Sequence, residues 1–199
     1  MPNHCENDLY ISGPNVDAVL EFIGITRAEP TFDFNTLIPY PERFAQMDDE
    51  YRAIPDLVGL YRGTPEYEQR AAARAVAGSA YVAKWGTSQN GYNCGGYEWC
   101  HTNWGTKWNA YDVARRDYDG HVVVTFQTAW SPPKPVIVAL ALRFPDHTFS
   151  LEYFERGMGF CGGFTCLSQE DWWDENDEPW KAGRPVAEWE GEYRGMRGG

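Results

Sequence analysis

The sequence has no long apolar stretch. Its longest apolar run, Val136 to Leu142, falls far short of the roughly 18–20 residues that a membrane-spanning helix needs, so no transmembrane helix is expected. Basic residues are scarce: 17 Lys and Arg stand against 29 Asp and Glu, a formal net charge of −12. Nucleic-acid binding draws much of its affinity from cations that displace counterions from phosphates, so the chain as a whole repels a polyanion. There is no P-loop, dinucleotide fingerprint, nucleophile elbow or zinc-protease helix motif, each of which would place a phosphate, a nucleophile or a metal by its spacing. The N-terminus, Met1-Pro2-Asn3-His4-Cys5-Glu6, lacks the basic and apolar regions of an export signal. The expectation is an acidic cytoplasmic protein that is not an enzyme and does not engage a membrane.

Cysteine use agrees with that compartment. Five cysteines, an odd number, without an export signal read as reduced thiols. Cys94 and Cys100 are separated by five residues and Cys161 and Cys166 by four, with His101 nearby. Neither gap is the two-residue spacing of a structural zinc knuckle, so the thiols read as small apolar side chains, with no metal or other cofactor expected. Cys100 and His101 are consecutive and so point apart on a helix or a strand, which makes them a poor nucleophile–base pair. His121 reads as a hairpin-edge residue.

What the chain does have is aromatic: 16% Phe, Trp and Tyr, within 43% apolar residues, enough to build a core. Asn7 to Gly13 reads as a strand. A helix follows from Asn15 as cap, through Val16, Val19, Leu20 and Ile23, to Gly24 as stop. Thr31 to Pro41 reads as extended, and acid-rich Gln46 to Gly63 as a surface excursion. A long helix is signposted by Thr64 as cap, Pro65 at the first position, Glu66 and Glu68 in the first turn and Gly86 beyond the end. Asn109 to Val113 and Val122 to Trp130 flank Asp119-Gly120 as a hairpin. Ser131-Pro132-Pro133 reads as a helix start, with Ser131 or a neighbour as cap, leading into a helix over Val136 to Phe144. His147 to Phe154 alternates as a strand, with Phe149, Leu151 and Tyr153 on one face, and Phe164 to Leu167 forms another. The order is βαββαβ. The fold class is therefore α+β: a ferredoxin-like antiparallel sheet with helices on one face. Residues 1–168 form the domain, with a helical insertion at about 46–105, and residues 169–199 form an acidic, Trp-rich extension packed on or next to it.

Several blocks occur together in order: Met1-Pro-Asn-His-Cys-Glu-Asn, Phe32-Asp-Phe-Asn, Ile38-Pro-Tyr-Pro-Glu, Asn103-Trp-Gly-Thr-Lys-Trp-Asn-Ala-Tyr-Asp112, Phe126-Gln-Thr-Ala-Trp-Ser-Pro-Pro133 and Pro135-Val-Ile. They resemble the YubB/Api-type ferredoxin-like domain family carried by bacteriophages and conjugative plasmids. The resemblance covers residues 1 to about 163 and leaves the acidic tail outside. It implies a mobile-element protein acting in the cytoplasm of a host cell, and transfers no catalytic residue.

Two sets of residues are candidates for binding. In the tail, Glu170, Asp171, Trp172, Trp173, Asp174, Glu175, Asp177 and Glu178 combine steering charge with aromatic anchors, with Trp180 close behind. The expected partner is a basic, nucleic-acid-handling surface of a host defence protein or complex, such as CRISPR or restriction machinery. The plain alternative is a solvated acidic surface whose Trp residues pack back on the core. Asp48-Asp49-Glu50 either extends the same surface or is only a loop. The second set, Lys107, Trp108, Tyr111, Arg115 and Arg116, is an alternative site for single-stranded nucleic acid on the sheet face. Direct nucleic-acid binding is the less expected of the two because of the overall charge. The block from Trp104 to Asp112 reads mainly as core and turn, with Trp108 and Ala110 on one strand face.

Overall fold

The computed structural model describes residues 3–166 and the backbone of residues 172–178. The chain divides into two compact units: residues 1–39 with 100–199, and residues 40–99.

The first unit is built on strand β1 (His4–Ser12). After it come helix α1 (Val16–Phe22), the second unit, the hairpin β2 (Tyr111–Tyr118) and β3 (His121–Ala129), helix α5 (Lys134–Arg143), and then β4 (Thr148–Glu155), β5 (Phe160–Cys166) and β6 (Trp172–Glu178). The sheet order is β2-β3-β1-β4-β5-β6, and every neighbouring pair is antiparallel. The first four strands in that order are the ferredoxin-like arrangement, as expected; β5 and β6 widen the sheet beyond β4.

Register sorts the side chains. Residues paired across an antiparallel ladder share a face, so Leu9 shares one with Val124 and Leu151, and Asn7 with Phe126 and Tyr153. These six are all 2% exposed or less. Arg115 of β2 pairs with Val124 and bonds Asp17 of α1, which places α1 over this face. The Lys134 ammonium of α5 lies 5.2 Å from the Tyr153 ring, and Phe22 at the end of α1 meets Phe144 just after α5 at 5.4 Å. Both helices therefore cover the same side. The opposite face carries Glu6, Tyr10, Thr125, Glu152, Ser150 and Thr165.

Local sequence signals hold at some turns and caps and fail at others. The αL backbone of Gly120 (φ 81°) turns the β2–β3 hairpin. Asn15 occupies the cap position of α1 but sits in the left-handed region and makes no side-chain cap bond. Ser131 does not cap α5 either: Pro133 holds that position, and the Ser131 hydroxyl donates to Gly105 O at 2.6 Å. Trp108 and Ala110 precede β2 and belong to the turn, because strand pairing begins only at Tyr111.

The second unit contains α2 (Glu42–Arg52), α3 (Pro65–Trp85) and a one-turn helix at Tyr92–Cys94, and the chain leaves it through α4 (Gly96–Asn103). The start of the expected surface excursion is thus helical. Pro41 precedes the first turn and Met47 is fully buried, but a single buried apolar residue leaves too weak a period to read. For α3 the signals hold: the Tyr67 N–H donates to the Thr64 hydroxyl, and Gly86 at φ 73° donates to Val82 O. The Tyr81 hydroxyl, on the inner side of α3, donates to Gln89 O at 2.8 Å. A side chain at Gly91 would collide with the Phe44 carbonyl.

Candidate functional site

Asp48 and Glu50 are engaged within the helical unit. Asp48 accepts the Tyr92 N–H at 2.9 Å, and Glu50 accepts from Lys84 and from the Trp85 indole at 2.5 and 2.9 Å. Those bonds, first that from Lys84 and then that from Trp85, hold the Glu50 carboxyl below its ordinary range. This stretch is helix, not loop, and two of its three acids serve as tethers.

The blocks from Phe32 to Asn35 and from Asn103 to Asp112 meet each other. Asn109 is the joint: its side-chain oxygen accepts from Phe34 N at 2.9 Å and Ala110 N at 3.0 Å, and its amide donates to Asp33 Oδ1 at 2.7 Å. Asp33 also accepts from the backbone and side chain of Asn35. Burial pushes the Asp33 carboxyl up, but these bonds outweigh it and leave the group below its ordinary value. The Trp104 indole donates to Ile38 O at 2.8 Å. Phe32, Phe34, Phe126 and Trp104 form a chain of edge-on rings with centroids 5.0–5.8 Å apart. These blocks build core and joints, as the plainer reading of Trp104 to Asp112 expected.

Beside this joint lies an aromatic and cationic cluster. The Lys107 ammonium sits 5.0 Å from the Trp108 ring and 5.1 Å from the Trp130 ring, within cation–π range of both. Trp130 is 40% exposed and adopts φ 72°, a conformation rare for a bulky side chain; its N–H is anchored on Asn3 O. No single-residue signal in the sequence foretold this pairing with Lys107. An adjoining cleft of about 430 Å³ is lined by Gly105, Ser131, Pro132, Lys134, Pro135 and Phe160.

The remaining residues of the second candidate set do not join that cluster. The Tyr111 hydroxyl lies 2.6 Å from His4 Nδ1 and 3.3 Å from Thr128 O, and burial raises its pKa. Arg115 has a side chain only 7% exposed, bonded to Asp17 at 2.5 Å and Asp117 at 2.6 Å. Arg116, opposite Val123, faces the other side of the sheet, where Glu6 and Glu152 also stand.

The acidic set lies at the far edge. β6 pairs with β5 through Cys166–Trp172, Thr165–Trp173, Phe164–Asp174, Gly163–Glu175 and Cys161–Glu178, with an irregularity between the last two pairs. Trp172, Trp173, Asp174, Glu175, Asp177 and Glu178 are thus residues of the outermost strand. Glu170, Asp171 and Trp180 lie outside the described residues. Edge strands expose unpaired backbone groups, and charge is a common means of keeping such an edge from pairing indiscriminately.

Among the described residues, no group of three or more His, Cys, Asp or Glu side chains could hold a metal ion. Cys5, Cys100, Cys161 and Cys166 are buried free thiols, and Cys94 is exposed.

Residues 103–194 match the family model of the ferredoxin-like domain in Api92-like protein. The matched stretch starts at the Asn103 block and takes in the acidic tail, which the resemblance read from sequence had left outside. A crystal structure of a protein api92 from Yersinia pseudotuberculosis is similar over 90% of this chain and 100% of its own, at 12% identity and a TM-score of 0.47. Comparison with curated proteins finds no match.

Proposed function

We propose that this protein is a non-catalytic binding protein that uses its acidic outer strand to occupy a basic, nucleic-acid-handling surface on another protein. One observation carries this reading: the densest acidic stretch of the chain is the edge strand β6, fixed by its pairing to β5. Four carboxylates fall within seven residues there. A strand holds them at about 3.3 Å per residue, so binding pays less ordering entropy than a loose tail would require. The net charge of −12 steers the whole molecule toward a cationic target. The resemblance of the sequence blocks to YubB/Api-type proteins of phages and conjugative plasmids favours a host defence complex in the cytoplasm as that partner.

Binding of single-stranded nucleic acid through Lys107, Trp108, Tyr111, Arg115 and Arg116 has less support. Arg115 is neutralised by two carboxylates, and Lys107 is packed on two indoles.

The test retains tagged protein on a column, applies nuclease-treated host lysate, elutes with salt and identifies the partner. The partner should handle DNA or RNA and be displaced by a duplex oligonucleotide. The combined substitution Asp174→Asn, Glu175→Gln, Asp177→Asn and Glu178→Gln should weaken retention and flatten its salt dependence. Unchanged retention by that variant, or recovery of nucleic acid in place of protein, refutes the reading.

A further inference from the structure

α3 is 21 residues long, about 31 Å at 1.5 Å per residue. Its inner side is marked by Tyr81, which is 4% exposed and bonded to Gln89 O. A surface helix ordinarily turns charge outward, opposite its buried side. Here the outward row, at helical spacing, is Gln69, Ala72, Val76, Ala80 and Ala83, with no charged residue across four turns. Val76 is 73% exposed. Ala83 belongs also to the wall of an apolar groove of about 770 Å³, which Tyr51, Ile54, Leu57 and Val82 line as well. Tyr51 and Val82 are 37% and 42% exposed. An apolar outward surface joined to an open apolar groove is the mark of an interface.

The charges around this surface say which partner fits. Residues 40–99 contain eight acids and six bases, while the other 139 residues contain 21 acids and 11 bases. The repulsion that keeps two copies of the chain apart therefore comes mainly from the rest of the molecule, and the helical unit is nearly neutral. Along α3 the acids Glu66 and Glu68 lie in the first turn and the base Lys84 in the last. Glu66 and Lys84 are 18 residues, or five turns, apart and so share one flank of the outward row. We infer that α3 packs on α3 of a second copy, antiparallel and about a two-fold axis at Val76. That axis sets Ala72 against Ala80 and Gln69 against Ala83 of the other copy, small residues that allow close approach of the helices. It also brings Lys84 level with the first-turn acids of the other copy. Parallel pairing would instead set acid beside acid and base beside base. Lys84 already bonds Glu50 and remains 56% exposed at its side chain, open to a second carboxylate.

Sedimentation equilibrium of the full chain over about a hundredfold concentration range, which spans about 2.7 kcal/mol of association free energy, tests this. The weight-average mass should climb from 22.7 kDa toward twice that value. Val76→Asp places like charge across the axis and should hold the protein monomeric, with an unchanged circular dichroism spectrum because Val76 is exposed. In a Cys94→Ser background, Val76→Cys should form a covalent dimer under mild oxidation, whereas Val58→Cys, at an 84% exposed site, should not. A wild-type mass that stays at the monomer value, or a dimer indifferent to Val76→Asp, overturns the inference.

Discussion

Replacing Asn109 with Ala tests whether the joint between the Phe32 and Asn103 blocks holds the sheet unit together. The substitution strands the N–H of Phe34, a residue with no exposed surface, and an unsatisfied buried donor costs about 1–3 kcal/mol. It also removes the 2.7 Å bond to Asp33; bonds to a charged group are worth about 1.5–3 kcal/mol. Asp33 is only partly buried and keeps its two bonds from Asn35, so solvent screening discounts that second figure. A loss of about 2–3 kcal/mol results, and at roughly 2–4 °C per kcal/mol for a chain of this size, Tm should fall by about 5–10 °C. The pH dependence separates the two contributions. Asp33 has a depressed folded pKa, so its stabilisation is complete above the ordinary carboxylate value of about 3.9 and is lost as pH falls through the lower folded value. The variant depresses Asp33 less, so the gap between wild type and variant should be widest near neutral pH and should narrow in acid. Thermal melts at pH 7 and down to pH 3 measure this. A fall in Tm under about 2 °C, or a gap that does not change with pH, would refute the reasoning.

Two further outcomes follow from burial and backbone. A thiol reagent should modify one cysteine quickly in the folded protein and the other four only on unfolding, with Cys94→Ser abolishing the fast phase; two or more fast thiols would contradict the burial of Cys5, Cys100, Cys161 and Cys166. Burial raises the thiols of Cys5 and Cys166, so mild alkali should not recruit them. Asp112 holds φ 52°; Asp112→Gly should stay within about 0.5 kcal/mol of wild type, while Asp112→Val should lose about 1–2 kcal/mol, both read from urea melts. Equal effects of the two would remove the backbone account.

The frame was legible where pattern and punctuation coincide. Alternation in His147 to Phe154 set Phe149, Leu151 and Tyr153 on one face, and all three are fully buried. Thr64, Pro65 and Gly86 fixed both ends of α3. α2 carries no legible period because Met47 is its sole buried residue, and its acids read as loop without their spatial partners Tyr92, Lys84 and Trp85. β6 is not legible in the sequence because Asp, Glu and Asn are poor strand formers; its pairing with the edge of β5 makes that segment a strand. Among the candidate residues, Arg115 reads as available in the sequence because Asp17, one of its two carboxylate partners, stands 98 positions away. The Lys107–Trp130 contact spans fewer positions but is also non-local, joining two turns on either side of the hairpin.

The rings of Tyr40 and Trp99, the first and last residues of the helical unit, lie 5.6 Å apart. Sixty residues thus leave and re-enter the chain through one doorway. Closing a loop costs free energy that grows only with the logarithm of its length, about 0.6 kcal/mol per doubling. To the strands on either side, the whole unit is a long closed loop between Pro39 and Cys100, and such positions tolerate exchange of their contents. The helical unit is in this sense a cassette, whose length adds little to the entropic cost of closing the chain between Pro39 and Cys100.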